Sequence, residues 1–349
     1  MTIKVFSDRI ELGNKIIAAT PTGIRIDDAL AANTQQQGYV KQANFTAREL
    51  AYGGGLFQGS VSGYSTGGAG VPGAGTNTID KFPFAADTNA TDVGDLSQSR
   101  RNGSGASSST FGYTSGGGGV PGETNTIDKF PFAADANATD VGDLTQARTQ
   151  PAGQSSATHG YTSGGLLTPA TRYNTIDKFS FAADANASDV GDLTQVRRGP
   201  SGQSSSISGY SSGGYTTPSP FVNTIDKFPF ATDTNASDVG DITVVRTQGA
   251  GQSSTISGYT SGGNGNAPPP VSNVIDKFPF ASNINATDVG DLTLARAEVA
   301  GQSSTVSGYT SGGYNPTTNT IDKFPFATDS NASDVGDLTV ARPTVGQQF

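Results

Sequence analysis

The sequence lacks most of the residues on which thiol and zinc chemistry depend. Its 349 residues include no Cys, no Trp, one Met and one His. A structural zinc, a catalytic thiolate and a pair of imidazole ligands are therefore excluded. Hydrophobic residues make up only 34% of the chain, whereas Gly alone contributes 47 residues. Because so few large apolar side chains cannot build one thick core, the composition favours thin, repeated layers of β-structure.

The charge balance and the absence of long apolar runs exclude two further classes of partner. The formal net charge is −9, whereas a nucleic-acid-binding protein needs clustered Lys and Arg to displace counterions from phosphates. No run of about 18 apolar residues occurs, as a membrane-spanning helix would require. The first residues also lack the basic and apolar regions of a usual secretory signal. We therefore expect no nucleic-acid partner and no membrane insertion.

An internal repeat organises most of the chain. The string Ile-Asp-Lys-Phe occurs six times, 46 to 50 residues apart, and begins at Ile79, Ile127, Ile176, Ile225, Ile275 and Ile321. A Gly-Tyr motif followed by a Gly-Gly pair alternates with it. Short segments rich in Thr, Ile, Tyr and Phe, bounded by Gly, Pro and Asn, are typical of strands. Because four such strands per repeat make one propeller blade, we predict an all-β, six-bladed β-propeller over residues 56–349.

The order of these markers within one unit resembles the kelch blade. In the third unit, Gly164 and Gly165 follow an aromatic segment, Phe179 and Phe181 lie in the next segment, and Arg197 precedes the following unit. In kelch blades a Gly doublet ends the second strand, and an Arg lies near the start of the next blade. The resemblance implies a kelch-like propeller.

The exact sequences of the repeated segments show a second resemblance. The segments GYTSGG, IDKFPFA and DVGDL resemble repeat proteins encoded by bacteriophages of marine and freshwater bacteria, which are commonly classed as virion structural or tail-fibre proteins. The resemblance implies a non-enzymatic component of the virion, such as a tail fibre, appendage or decoration. It also implies other virion proteins as partners, a host cell-surface glycan or protein as a contact, and a homo-oligomer in the particle.

Residues 1–55 lack every marker of the repeat. Their alternating pattern predicts four short strands, at Ile3–Phe6, Arg9–Leu12, Lys15–Ala18 and Gly23–Ile26. Two further stretches, Asp27–Ala32 and Phe45–Tyr52, are predicted to be short helices. This length and alternation favour a docking or oligomerisation segment over a plain leader.

The end of the repeat region predicts how the propeller ring closes. The last unit stops soon after Arg342, before a strand that the other units contain. We therefore expect the neighbouring blade to take that strand from Ser60–Gly63. Ring closure would then occur where the two ends of the repeat region meet.

The residue spacing of the acidic turns is similar to that of a metal-binding loop. In the first unit, Asp87, Asn89 and Asp95 place side-chain oxygens at a spacing that lets a short loop surround a hard cation such as calcium. A calcium loop also needs Gly at its sixth position and a bidentate Glu, and both are missing here. The favoured interpretation is a hairpin turn in which Asp and Asn cap the backbone. We therefore expect no cofactor, with calcium as the alternative.

Each unit also repeats an Asp-Lys pair, such as Asp80 and Lys81, and a later Arg, such as Arg100. These three residues recur in all six units, and no unit differs in a way that would mark a catalytic group. The repetition therefore indicates ion pairs between blades and not catalysis. No nucleophile, base and orienting group are recognisable together. We therefore expect no enzymatic activity.

The units differ mainly between the Gly-Gly pair and the next Ile-Asp-Lys-Phe, and in the linkers after each Arg. In a propeller these connections share one face. Candidate ligand or host contacts on them are Arg172, Tyr173, Tyr215, Phe221 and Tyr314. Such side chains on loops stiffened by Pro bind at low entropic cost, although drift in solvent-exposed loops would also explain the variation. The alternative function is a lectin-like glycan-binding propeller or a glycan-active enzyme of bacterial origin.

Overall fold

A computed structural model describes residues 58–69, 75–119, 122–217, 221–266 and 270–348, together with the backbone of five strands before residue 42. The chain divides into two compact units, residues 1–54 and 55–349. Strands, turns and loops account for all described residues. Consequently, no helix among the described residues is long and apolar enough to cross a membrane.

The second unit folds into six four-stranded antiparallel sheets, which are the blades of a β-propeller. We label the strands of each blade a to d, from the central channel outwards. In blades 2, 3 and 4 they are Ser104–Ser107, Phe111–Ser115, Thr126–Pro131 and Thr139–Asp143; Ala152–Ser155, His159–Ser163, Thr175–Ser180 and Ser188–Asp192; and Ser201–Ser204, Ser208–Ser212, Thr224–Pro229 and Ser237–Asp241.

The remaining blades follow the same plan. In blades 5, 6 and 1 the strands are Ala250–Ser253, Ser257–Ser261, Val274–Pro279 and Thr287–Asp291; Ala300–Ser303, Ser307–Ser311, Thr320–Pro325 and Ser333–Asp337; and Val345–Gln348, Ser62–Ala69, Gly75–Pro83 and Thr91–Arg100. The predicted all-β, six-bladed propeller is therefore confirmed.

The ring closes within blade 1, whose strands come from both ends of the repeat region. Strand a, Val345–Gln348, pairs with strand b, Ser62–Ala69, so that Val345 lies opposite Thr66. The prediction that the ring closes where the two ends of the repeat region meet is confirmed, but the predicted source of the strand is wrong: Val345–Gln348 supplies strand a to the first blade, and of Ser60–Gly63 only Ser62 and Gly63 lie in a strand, where they begin strand b. This pairing covers the inner edge of the first blade, which would otherwise be open to aggregation.

A ring of six glycines brings the inner strands together at the propeller axis. A Cβ atom at Gly153 would collide with the carbonyl oxygen of Gly105 in the preceding blade. The same relation holds around the ring for Gly105, Gly153, Gly202, Gly251, Gly301 and Gly346. Only glycine therefore lets the six strands a pack this closely around the central channel, which has a volume of about 130 Å³.

Polar side chains replace a thick apolar core between the inner strands. Gln154 of blade 3 donates hydrogen bonds to the Tyr210 carbonyl and the Ser211 hydroxyl of blade 4, at 3.0 and 2.9 Å. Hydroxyl pairs 2.7 to 2.8 Å apart join all six interfaces: Ser65–Ser311, Thr66–Thr114, Ser115–Thr162, Ser163–Ser211, Ser212–Thr260 and Ser261–Thr310. Small hydroxyl side chains satisfy their hydrogen bonds in pairs and fill little space.

Aromatic rings pack further from the axis. Tyr161 of blade 3 stacks on Phe230 of blade 4 with a centroid distance of 4.8 Å and also contacts Phe228 at 5.5 Å. Burial raises the pKa of Tyr161 to about 12. Equivalent clusters of a Tyr with two Phe from the next blade occur at the other five interfaces. The Tyr and Phe of each repeat thus form small interfacial cores, which suits a chain with few aliphatic residues.

A buried ion pair lies in each interface. Arg148, which follows blade 2, contacts Asp177 of blade 3 at 2.7 Å, and both side chains are fully buried. Asp177 also accepts hydrogen bonds from the backbone and hydroxyl of Thr145, at 2.9 and 2.7 Å. The other pairs are Arg100–Asp128, Arg197–Asp226, Arg246–Asp276, Arg296–Asp322 and Arg342–Asp80. The predicted ion pairs between blades are therefore confirmed.

The Asp and Lys of each Asp-Lys motif bind different neighbouring blades. Asp80 pairs with Arg342 on one side, whereas Lys81 pairs with Asp135 on the other, at 3.0 Å. Successive side chains of a strand point to opposite faces of the sheet, so adjacent residues contact different neighbours. The motif therefore links five of the blades to both neighbours; in blade 4, Lys227 has no ion pair among the described residues.

The first unit contains a five-stranded antiparallel sheet with its strands in chain order. Its strands are Ile3–Val5, Arg9–Leu12, Lys15–Thr20, Gly23–Asp28 and Gly38–Lys41. The four predicted strands are therefore found among these five, and only Phe6 of the first one lies outside the described residues. The prediction of a helix from Asp27 is wrong for Asp27 and Asp28, because these residues extend a strand and pair with Ile16 and Lys15. The rest of that stretch and the predicted helix Phe45–Tyr52 lie outside the described residues.

Candidate functional site

The loops that vary among the repeats lie together on one face of the propeller. The connection between strands b and c of a blade bridges to the linker that enters the same blade, as Tyr215 does with Arg198 and Tyr314 with Ala297. The conserved acidic turns belong to the opposite face, where Phe230 at the start of such a turn bonds to Ile207 in the a–b turn at 2.9 Å. We call the side formed by the b–c loops and the linkers the variable-loop face.

Four side chains form a cationic and aromatic cluster on this face, which we call the Arg–Tyr cluster. The guanidinium groups of Arg172 and Arg198 lie 5.0 and 4.8 Å from the centroid of the Tyr215 ring. The Phe221 ring meets Tyr215 edge to face, at 5.2 Å and an interplanar angle of 88°. Arginine stacks well on aromatic faces because its planar cation is weakly hydrated. The structure therefore brings together three of the five residues predicted from the variable loops.

Local backbone structure holds each member of the cluster. Arg172 lies in a two-stranded hairpin, Leu166–Leu167 with Thr171–Arg172. Tyr215 exchanges two backbone hydrogen bonds with Arg198, at 2.8 and 3.0 Å, and also bridges to Phe221. The preceding Gly214 has a φ of 121°, a conformation that side chains rarely adopt. This glycine lets the chain turn from strand b directly into the bridge with the linker.

The cluster holds two positive charges close together. Burial lowers the pKa of Arg198, the charge of Arg172 lowers it further, and Tyr215 and Glu298 oppose the shift. Among the described residues, neither Arg172 nor Arg198 has a carboxylate within ion-pair distance. The six buried arginines of the blade interfaces, by contrast, all have one. Glu298 offsets part of the charge of Arg198, but among the described residues the cluster has no ion-pair partner and so carries net positive charge.

The channel mouth lies next to the cluster on the same face. Five residues around this mouth are linked by backbone hydrogen bonds of 2.6 to 2.9 Å: Asn102, Gln150, Gly199, Gln248 and Glu298. All five have a positive φ, between 53° and 64°. Arg198 donates a 2.9 Å hydrogen bond to the side chain of Gln150 and so joins the cluster to this ring.

Glu298 is the only carboxyl group among the five residues of this ring. Burial raises the pKa of Glu298, while hydrogen bonds from Asn102 and Gln248 and the charges of Arg101 and Arg198 favour its ionised form. The channel mouth thus combines a perturbed acid with amides and nearby guanidinium groups, an arrangement that often marks a functional site.

Two predicted contacts lie outside the cluster. Tyr314 is 54% exposed and occupies the position that corresponds to Tyr215, but its bridging partner is Ala297 instead of an Arg. Tyr173 is half-buried, and its backbone bonds to Gly165 and Arg197 at 2.9 and 3.1 Å. Neither tyrosine has a ring contact with the cluster among the described residues.

The calcium candidates in the acidic turn contact different neighbours. Asp87 binds Lys323 at 2.9 Å, and the Asn89 side chain accepts a hydrogen bond from the Asp337 backbone at 3.1 Å. Asp95 contributes its own backbone to equivalent contacts with blade 2. The described residues contain no group of three or more acidic or His side chains placed to hold a metal ion. In the structure these residues therefore serve the contact between blades.

No known family identifies this chain. A scan against protein-family models finds no match, and no curated protein matches the sequence. The six-bladed fold therefore rests on the observed sheet topology, and the kelch and bacteriophage resemblances are hypotheses about its origin. The chemistry of the variable-loop face is accordingly inferred from its own residues.

Sequence reasoning missed Arg198 and Glu298. Arg198 follows the buried Arg197, and such an Arg-Arg pair occurs again only at Arg100 and Arg101 among the repeats. The doubled Arg was a usable signal, because only one Arg per unit belongs to the repeated ion pair. Glu298 stands at a linker position where the other repeats have uncharged residues, but its place at the channel mouth follows only from the assembled ring.

Proposed function

We propose that this protein is a non-enzymatic virion component, a tail fibre, appendage or decoration, that presents the variable-loop face of its propeller to a host surface. The Arg–Tyr cluster is the observation that carries the recognition role: Arg172, Arg198 and Tyr215 meet on loops that differ among otherwise similar repeats. Aromatic and Arg side chains dominate the energetics of recognition surfaces.

The blades supply a rigid support for such a surface. All six interfaces repeat the same buried Arg–Asp pair, Tyr–Phe packing and hydroxyl pair. Uniform interfaces leave the loops free to vary without loss of the fold. The virion assignment is supported by the resemblance of the repeated sequence segments to those of bacteriophage structural proteins. In this proposal residues 1–55 attach the propeller to the particle and promote oligomerisation.

Competition for adsorption tests the recognition role. Purified full-length protein should block the adsorption of particles to host cells, and the variant Tyr215→Ala should lose most of this effect. Tyr314→Ala is the matched control, because Tyr314 occupies the same loop position without an Arg partner. Equal blocking by the wild type and both variants would reject the variable-loop face as the contact. Release of sugar fragments from the cell surface would instead favour the glycan-active enzyme.

Incorporation into particles tests the virion assignment. Antibody labelling of purified particles should detect the full-length protein. Deletion of residues 1–50 should leave a folded, soluble propeller that no longer joins the particle. Circular dichroism and light scattering of the deleted protein verify that the propeller has folded. Retained incorporation would contradict the docking role of the first unit, and absence of the wild-type protein from particles would contradict the virion assignment.

A further inference from the structure

We propose that the Arg–Tyr cluster binds the carboxylate or sulfate groups of an acidic polysaccharide. The inference rests on the proposed function, because it names the ligand class of the same face. It starts from two guanidinium groups, of Arg172 and Arg198, that lie within 5.0 Å of one Tyr215 ring centroid and have no carboxylate partner among the described residues.

Both arginines retain hydrogen-bond donors for a ligand. Among the described residues, Nη1 of Arg172 donates a hydrogen bond to the Ala170 carbonyl at 3.4 Å, and Nη1 of Arg198 donates one to the Gln150 side chain at 2.9 Å. The Nε atoms of both arginines are enclosed without a hydrogen-bond partner, while both residues are only half-buried, and neither Nη2 group donates a hydrogen bond among the described residues. A guanidinium group that presents free Nη donors matches the oxygens of a carboxylate or sulfate.

Electrostatics favour an anion at this place. Two cations held side by side repel each other, and the charge of Arg172 accordingly contributes to the lowered pKa of Arg198. Glu298 offsets part of the charge of Arg198 but forms no ion pair with it among the described residues, and Glu123 accepts a 2.7 Å hydrogen bond from Thr168. An anionic group bound between the guanidinium groups would relieve the repulsion.

The shape of the site favours a polymer over a small molecule. Small ligands need an enclosed, concave pocket, whereas the cluster lies on open loops between blades 3 and 4, and Tyr215 and Phe221 meet edge to face. A polysaccharide can place its acidic groups on a shallow surface and gain affinity through repeated contacts, especially on an oligomer. The aromatic rings then offer apolar surface to the sugar units between the acidic groups.

Non-specific attraction of a polyanion is disfavoured in this protein. The net charge is −9, and the acidic turns place Asp side chains that are more than half exposed on the opposite face, for example Asp135 at 60% and Asp329 at 57%. A polyanion is repelled by that face, so its binding has to depend on a local group of cations. Single substitutions can therefore test the site.

The experiment measures binding of the full-length protein to three polymers of matched length on a biosensor: alginate, which carries carboxylates, dextran sulfate, and neutral dextran. We expect binding to one or both anionic polymers and none to dextran. Arg198→Ala and Arg172→Gln should each weaken binding at least about tenfold, since each removes one of the two guanidinium groups. Raising sodium chloride from about 0.05 M to about 0.5 M should weaken it further by screening.

The chain offers two matched controls. Arg101→Ala removes the Arg that corresponds to Arg198 but bridges Gly118, and Tyr314→Ala removes the tyrosine that corresponds to Tyr215 but bridges Ala297. Both should keep binding within about twofold of the wild type, as expected for single surface groups outside the site. Unchanged thermal unfolding of each variant shows that a loss of binding does not come from misfolding.

The outcomes separate the inference from the proposed function. Binding to alginate alone identifies carboxylates, and binding to dextran sulfate alone identifies sulfates. Equal binding to dextran, no binding to either anionic polymer, or equal losses in Arg198→Ala and Arg101→Ala would overturn the inference. If the wild type binds no anionic polymer but still blocks particle adsorption in a Tyr215-dependent way, the inference fails and the proposed function stands. If adsorption is not blocked either, the recognition role fails as well.

Discussion

Two kinds of ion pair join the same blades and differ in burial. The Arg–Asp pair is complete at all six interfaces, and in the pair Arg148–Asp177 both side chains are fully buried. The Lys–Asp pair near the surface is present at five interfaces, and in Lys178–Asp233 the two side chains are 20% and 53% exposed.

The sixth interface shows that the outer pair can be lost. There Lys227 faces the position where Asn283 replaces the Asp of the other repeats, and Lys227 has no ion pair among the described residues. An exposed pair contributes little, because water solvates both partners almost as well. A buried charge without its partner, by contrast, carries an uncompensated desolvation penalty. The comparison therefore indicates that the inner pairs sustain the ring and that the outer pairs are dispensable.

Breaking one inner pair should have the largest effect. Asp177→Ala leaves Arg148 buried without a counter-charge, and we expect a loss of about 3–5 kcal/mol in the free energy of unfolding. Urea denaturation of the full-length protein measures it. The double variant Arg148→Met with Asp177→Leu is the control and should recover most of the loss, because it removes both buried charges. A loss below that of an exposed pair would contradict the comparison.

Glu298 is an intermediate case, a partly buried acid without an ion pair. Because burial raises its pKa, the folded state holds the proton more tightly than the unfolded state does. Stability from this group is present at low pH and is lost as pH rises from the unfolded-state pKa through the folded-state pKa. Glu298→Gln removes this loss and should raise the urea midpoint of the protein at pH 7.

A pH series of urea midpoints measures the effect of Glu298. The advantage of Glu298→Gln over the wild type should shrink as the pH falls through the raised folded-state pKa, and it should be absent below the ordinary Glu value of 4.5. An advantage that is constant at every pH would show that packing, and not ionisation, is responsible.

Breaking an outer pair should have a smaller effect. Lys277→Ala removes the partner of Asp329, which is 57% exposed, and we expect a loss below about 1 kcal/mol that decreases in high salt; Lys277 and Lys227 both lie over the Tyr ring of their own blade, at 6.0 and 5.7 Å. Lys227→Ala is the matched control, because Lys227 has no ion pair to lose. The difference between the two variants, measured by urea denaturation, therefore isolates the ion pair from the loss of the Lys stem.

Restoring the missing outer pair should have the smallest effect. Asn283→Asp places a carboxylate opposite Lys227, and we expect a gain of a few tenths of a kcal/mol, about the lower end for exposed pairs. The gain should disappear in the background of Lys227→Ala. A gain as large as the loss in Asp177→Ala would show that the surface position is more strongly shielded from water than its exposure indicates.

Much of the scaffold could be predicted because its signals are local and repeated. The Gly-Gly pairs mark a turn with positive φ, as at Gly164 and Gly165, with φ of 68° and 112°. The alternation around Phe179 marks a strand. The candidate loops could also be located, and Arg172, Tyr215 and Phe221 do meet in the structure.

The partners of individual side chains could not be predicted in the same way. The sequence places Asp80 next to Lys81, but the two residues bind blades 6 and 2 respectively. Arg198 was overlooked because the sequence does not show that it lies against Tyr215, to which its backbone bridges. Contacts of this kind depend on the register between segments that are distant in the chain.

The sequence by itself determined the number of blades, the strand content and the closure of the ring, because period, turn residues and alternation are local physical constraints. Only the tertiary structure decided which charges are buried, which lysine of the described blades forms no ion pair, and which loop residues form a cationic cluster. Those properties follow from the distance between blades and from the exclusion of water between them, since burial determines both the cost of a charge and the strength of an ion pair.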